Sequence, residues 1–154
     1  MDYDPKIMML YVADAQQRRV VRSFIPGSSG HPEAMIGYGQ TIITMSSNDV
    51  LGPLDVASDW LSSNIYWSEV RTSRGNAGRG YIMMSKSDGR YRRSIVNTGL
   101  EMPTSVAVDP EHGLMYWADA GNYPKIETAW MDGSKRRIIG KKKKINKLIC
   151  LNYK

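Results

Sequence analysis

Tyr66-Trp67-Ser68-Glu69 and Tyr116-Trp117-Ala118-Asp119 decide how this chain is read. Each sets two large aromatics side by side and an acid two residues after the tryptophan. The two copies stand 50 residues apart, and a reduced copy, Tyr11-Val12-Ala13-Asp14, lies 55 residues upstream. An aspartate precedes each tyrosine by seven positions: Asp4, Asp59 and Asp109. Punctuation that recurs at a period of this size signals a repeat architecture, in which each unit buries its apolar face against the next.

Working outward, each copy sits in the same order of short strands and turns. In the first unit, residues 8–13, 18–24 and 41–44 read as strands, and Pro26 to Pro32 as turn chemistry. In the second, residues 54–57 and 65–68 read as strands. Residues 71–80, with three glycines, read as a loop, and 81–85 and 93–96 as two further strands. Asp88-Gly89 between the last two suits a primed two-residue hairpin. The third unit repeats the order at 105–108, 114–117, 124–131 and 136–139, with Asp132-Gly133 as its hairpin. Four short strands per unit, with turns about every ten residues, predict an all-β fold: an incomplete β-propeller of three blades. The blades are expected at 1–47, 48–98 and 99–139. Residues 140–154 lack alternation and turn signals and are expected to form an irregular, disordered tail. They read as a non-native ending, such as an alternative terminal exon.

Charge and cysteine narrow the function classes. The formal charge is +6, but six lysines and no acid fall in residues 140–154, and the remaining basic residues only equal the 15 acids. A neutral body offers no basic face for nucleic acid. Cys150, the one cysteine, also lies in the tail, so neither an internal disulfide nor a thiolate zinc cluster is available. No run reaches the roughly 20 apolar residues that span a bilayer. The N-terminus, with Asp2 and Asp4, lacks the form of a secretory signal. No Gly-x-Ser-x-Gly or His-Glu-x-x-His motif occurs, and Gly75 to Gly80 has the wrong spacing for a dinucleotide loop. No catalytic residue, metal site or cofactor is expected.

The motifs together resemble the YWTD (class B) repeats of the low-density lipoprotein receptor family, over residues 1 to about 139. Asp59-Trp60 ahead of Tyr66-Trp67, and Asp109-Pro110 ahead of Tyr116-Trp117-Ala118-Asp119, match the family's arrangement. Asp88-Gly89-Arg90 and Asp132-Gly133-Ser134, each followed by an arginine pair, resemble its closing hairpin. The chain is similar to the large lipoprotein receptor-related proteins, the megalin group among them. It departs at Val12, which replaces a tryptophan, at Glu69, which replaces an aspartate, and in having no threonine at the third motif position.

The resemblance implies a six-bladed ring, of which three blades are present. It implies an extracellular module of an endocytic receptor that binds or releases protein ligands and supports neighbouring modules. It also implies that Asp14, Glu69 and Asp119 pair with arginines of an adjacent blade, with Arg18, Arg19, Arg92, Arg93, Arg136 and Arg137 as candidates. Trp67, Trp117, Tyr66 and Tyr116 are expected to pack between strands and blades rather than to contact ligand, because large aromatics are usually buried. His31 and His112 are expected to be solvated turn residues. Three blades leave two apolar faces without neighbours, so the chain is expected to be marginal or to self-associate. Two other readings stay open: a propeller hydrolase, and an intracellular isoform acting through its basic tail. The sequence leaves the chain's own location and its ligand-binding residues unassigned.

Overall fold

The computed structural model describes residues 1–25, 39–45, 50–73 and 76–141. They form three four-stranded antiparallel sheets, each a meander in chain order. The first contains β1 (Asp2–Asp4), β2 (Met9–Asp14), β3 (Arg19–Phe24) and β4 (Gln40–Thr44). The second contains β5 (Val50–Asp59), β6 (Asn64–Ser73), β7 (Asn76–Lys86) and β8 (Arg93–Val96). The third contains β9 (Pro103–Asp109), β10 (Leu114–Asp119), β11 (Lys125–Trp130) and β12 (Arg137–Lys141). The first strands meet in succession, β1 against β5 and β5 against β9, so the sheets stack side by side. This is the all-β, incomplete propeller that the repeat implies.

The core consists of two layers, one at each junction. Tyr11, Val20 and Ile43 of the first sheet pack against Val56, Ile65, Trp67 and Met83 of the second. Ala57, Tyr66, Ile82 and Val96 of the second sheet pack against Val106, Met115, Trp117 and Ala129 of the third. The cause lies in the strand's period of two. Tyr66 and Trp67 are adjacent on β6, so they leave the second sheet on opposite faces, and each enters a different junction. Burying one such ring at about 25 cal/mol per Å² over roughly 150–250 Å² is worth about 4–6 kcal/mol. The Tyr66-Trp67 pair therefore ties the second sheet to the neighbours on both sides.

Two local expectations are corrected. Residues 71–73 and 76–80 of the expected loop are strand, because β6 and β7 continue the ladder through Val70↔Gly80 and Arg71↔Arg79. Gly80 instead serves close approach to the segment leading into β9: its N–H donates to the Leu100 carbonyl at 3.0 Å, and an added Cβ would stand 2.4 Å from Pro103 Cδ. The guanidinium of Arg71 stacks on Tyr81 at 4.4 Å and covers the ladder. The first strands also run further than expected. β5 begins at Val50 and passes through a register irregularity between Leu51 and Asp55, and the first sheet gains β1 over Asp2–Asp4. The expected turn at Pro26 to Pro32, His31, and nearly all of the lysine tail lie outside the described residues.

Candidate functional site

The three aspartates that precede the tyrosines have one shared task. Asp4 Oδ1 accepts the backbone N–H of Lys6 at 2.9 Å, and Asp59 Oδ1 accepts those of Leu61 and Ser62 at 3.1 and 3.0 Å. Asp109 Oδ1 accepts the N–H of His112 at 3.2 Å. Each carboxylate closes the turn between the first two strands of its sheet. The turn then ends on a residue with positive φ: Met8 at 53°, Ser63 at 55° and Gly113 at 67°. An aspartate side chain stabilises such a turn by replacing a missing backbone partner. His112 is exposed and sets its Nδ1 2.8 Å from Asp109 Oδ2, a surface contact of the kind the sequence suggested.

The acids after the tryptophans divide their roles. Glu69 is buried. It accepts the indole N–H of Trp67 at 2.9 Å, Arg71 Nε at 2.8 Å and Arg92 at 3.1 Å. In the third sheet the same work is done from another strand. Glu127, opposite Trp117 on β11, accepts that indole N–H at 3.2 Å and Arg136 at 2.9 and 2.7 Å. Lys125 adds a second cation at 3.2 Å. Asp119, so released, caps the backbone N–H groups of Glu101 and Met102, the latter at 2.7 Å. In the first sheet Asp14 pairs with Arg19 at 3.1 Å and accepts Gln17 N–H at 2.9 Å.

The expected pairing of these acids with an adjacent blade's arginines is thus corrected: among the described residues, Arg19, Arg71 and Arg92 pair with acids of their own four-stranded unit. The crossing is made by the other end of the guanidinium. Arg92 stacks on Trp67 at 5.3 Å and donates to the Thr44 carbonyl of the first sheet at 3.4 Å. Arg136 stacks on Trp117 at 5.3 Å and donates to the carbonyls of Thr98 and Gly99 at 2.5 and 3.2 Å, just past the end of the second sheet. Its planar fork, with five donors, can serve the carboxylate and the neighbour together. Of each arginine pair, the first member, Arg92 or Arg136, occupies this place.

The Asp-Gly hairpins complete each junction. Asp88 Oδ1 accepts Arg90 N–H at 3.0 Å, and Asp132 Oδ1 accepts Ser134 N–H at 2.8 Å. Gly89 and Gly133 both adopt φ of 88°. Each also lies against the last strand of the preceding sheet: an added Cβ would stand 2.1 Å from the Ile42 carbonyl oxygen and 2.7 Å from that of Ile95. Glycine is required twice over, by backbone conformation and by approach. Tyr66 donates its hydroxyl to the Met131 carbonyl beside the second of these hairpins at 3.3 Å, and burial pushes its phenol up to about 12. Tyr11 lies by Ser87 in the corresponding place, and burial raises it too.

Glu127, Asp2 and Asp55 carry contacts that the motif reading missed. Burial alone would raise the Glu127 carboxyl, but Arg136 and then Lys125 outweigh it and hold the group below its ordinary range. Its signal is an acid between the β-branched Ile126 and Thr128 in Lys125-Ile126-Glu127-Thr128-Ala129, on the same strand face as the buried Ala129. Asp2 Oδ2 accepts Ser58 N–H at 2.7 Å, and Asp55 Oδ2 accepts Val106 N–H at 3.2 Å, so first-strand aspartates join neighbouring first strands. Among the described residues, Tyr116 alone of the three tyrosines faces no further sheet. It lines a groove of about 600 Å³ with Trp60, Pro110, Glu111, Ile126 and Ile139. Among the described residues, no group of three or more His, Cys, Asp or Glu side chains is placed to hold a metal ion. No helix among them is long and apolar enough to cross a membrane.

The class these sheets define is a β-propeller of YWTD-type blades, and the chain resembles the low-density lipoprotein receptor family in it. Residues 113–141 match the family described as low-density lipoprotein receptor repeat class B. The chain is 26% identical over 130 residues to the human low-density lipoprotein receptor-related protein 5-like protein, a match covering 84% of this chain and 44% of that relative. It superposes with a TM-score of 0.73 and 30% identity on a chain of the crystal structure of a nidogen/laminin complex, covering 92% of this chain and 47% of that one. The chain thus spans about half the length of the relatives it matches.

Proposed function

We propose that this chain is a module of an endocytic receptor ectodomain of the lipoprotein-receptor type. It binds and releases protein ligands and supports neighbouring modules, without catalytic chemistry. The observation that carries the reading is the class B repeat at residues 113–141, set in a chain similar to a receptor-related protein. A structural neighbour taken from a complex of nidogen with laminin supports recognition between proteins. The fate of the buried acids supports a scaffold role. Asp59, Glu69, Asp119 and Glu127 are each engaged by backbone N–H groups or cations, so their oxygens are occupied in holding the fold.

The test is a soluble fusion of the full chain to an antibody Fc, applied to intact cells. Saturable staining that is lost after protease treatment of the cell surface is the expected result. Absence of saturable staining, or turnover of ester substrates with a defined kcat, would overturn the reading in favour of a hydrolase. Staining that survives protease but disappears with salt, and with deletion of residues 141–154, would favour the basic-tail reading.

A further inference from the structure

We propose that Arg71 and Arg79 form a clamp for a carboxylate side chain of an acidic protein ligand, on an arm that β6 and β7 extend from the second sheet. Equivalent ladder positions define the arm. Glu69 pairs with Tyr81 as Asp119 pairs with Lys125 and Asp14 with Arg19. In the first and third sheets the chain turns directly between those partners, over residues 15–18 and 120–124. In the second sheet the strands run on through Val70↔Gly80, Arg71↔Arg79 and Ser73↔Asn76. At about 3.3 Å per residue, residues 70–73 carry β6 about 13 Å further. Both junctions of this sheet are filled within the chain, so the arm is separate from the outer faces of the first and third sheets.

Arg71 and Arg79 are Cα partners in an antiparallel ladder. Their side chains therefore leave the same face, with Cβ atoms about 4.5–5.5 Å apart, and like charges so placed repel. Glu69 and Tyr81 follow on that face. The Glu69 carboxylate is fully engaged without Arg79: Oε1 accepts Arg71 at 2.8 Å, and Oε2 accepts Arg92 at 3.1 Å and the Trp67 N–H at 2.9 Å. Arg71, Arg79 and Arg92 thus face a single carboxylate, and the cluster carries excess positive charge. Among the described residues, the exposed Arg79 guanidinium meets no carboxylate. It lies over the Tyr81 ring at 5.9 Å, and Arg71, its side chain 42% exposed, lies over the same ring at 4.4 Å. A guanidinium fork engages a carboxylate bidentately. A carboxylate set between these two forks relieves their repulsion and supplies the partner that Arg79 lacks. The excess is confined to one ladder step, which suits a single acidic side chain rather than the row of sulfates on a glycan. The clamp rests on the reading of the chain as a protein-binding module and names the chemistry its ligand brings.

Arginine-resolved proton-nitrogen correlation spectra of the full chain, titrated with a hexaglutamate peptide, test it. The Nε–H signals of Arg71 and Arg79 should shift together and saturate, and hexaglutamine should leave both unmoved. Reading these two signals separates the clamp from the lysines of residues 141–154, which also attract an acidic peptide. Arg79→Gln, at an exposed position, should keep the circular dichroism of the parent chain. It should weaken the Arg71 isotherm about tenfold, the loss expected for one hydrogen bond to a charged group. Unmoved arginine signals, an unchanged isotherm in Arg79→Gln, equal shifts with hexaglutamine, or tighter binding of a heparin tetrasaccharide at the same signals would overturn the proposal. Cell-surface staining by the Fc fusion with still arginine signals removes the clamp and keeps the module reading; shifts without staining do the reverse.

Discussion

Replacing Arg136 by methionine should destabilise the chain far more than the same change at Arg92, although the two arginines hold the same place in successive sheets. Methionine keeps an apolar stem over the indole and removes the guanidinium. At Arg136 the change deletes two donors to Glu127, at 2.9 and 2.7 Å, and two to the Thr98 and Gly99 carbonyls. The side chain of Glu127 is only 4% exposed. Breaking a buried pair costs about 3–5 kcal/mol, and the remaining contact with Lys125 puts the expected loss near the lower end, about 3 kcal/mol. At Arg92 the contacts are longer, 3.1 and 3.4 Å, and Glu69 keeps Arg71 and the Trp67 N–H. Glu69 is fully buried, but those two remaining donors keep both its oxygens satisfied, so that loss should be about 1 kcal/mol, the worth of an ordinary hydrogen bond. With a urea m-value of about 2 kcal/mol per M, the midpoint should fall by about 1.5 M for Arg136→Met and about 0.5 M for Arg92→Met. The Glu127 carboxyl is held below its ordinary 4.5, so its contribution is present above that pH and is lost as pH falls through the lowered value. The gap between wild type and Arg136→Met should therefore narrow in acid. Equal midpoints for the two variants, or a gap that widens on acidification, would refute the reasoning.

The other predictions concern the turns and tyrosines. Gly89→Ala and Gly133→Ala should each cost more than the ~1 kcal/mol of an ordinary strained substitution, because the new methyl meets a carbonyl of the preceding sheet; thermal unfolding that leaves either variant within a degree of wild type would oppose this. Asp59→Ala should cost about 2–3 kcal/mol, since the buried carboxylate holds two backbone N–H groups and the Asn64 amide. Asp109→Ala, at an exposed turn, should cost about 1 kcal/mol or less by the same rule. Denaturant titration of the pair should reproduce that order. Tyr66, raised to about 12, should keep its proton in the folded chain while the unfolded chain loses it near 10. Stability should then decline as pH rises through that window, and less steeply in Tyr66→Phe. Ultraviolet titration should show one late tyrosinate fewer in the variant.

The strand order was legible because its signals are local. A period of two, an Asp-Gly turn and an aspartate seven residues before a tyrosine are each written within ten residues of chain. The Tyr-Trp pair also disclosed its packing, since neighbours on a strand must face opposite ways. What stayed hidden depends on partners across strands. Glu127 replaces Glu69 as the indole's acceptor only because β11 lies beside β10, and no spacing along the chain marks that exchange. The acids at the fourth motif position look equivalent, yet Asp14 closes a hairpin, Glu69 binds an indole and Asp119 caps backbone. Gly78 and Gly80 suggest a loop in the sequence because glycine permits a turn but also permits close packing within a sheet, and only the ladder distinguishes the two.

The most direct test of the stacked-sheet account is a methyl- and aromatic-resolved nuclear Overhauser spectrum of the full chain. The Trp67 indole should show cross-peaks to Val20 and Ile43 of the first sheet, and the Tyr66 ring to Met115 and Val106 of the third. Cross-peaks from the Trp67 indole to Met115 or Val106 would place both rings on one face and contradict the account.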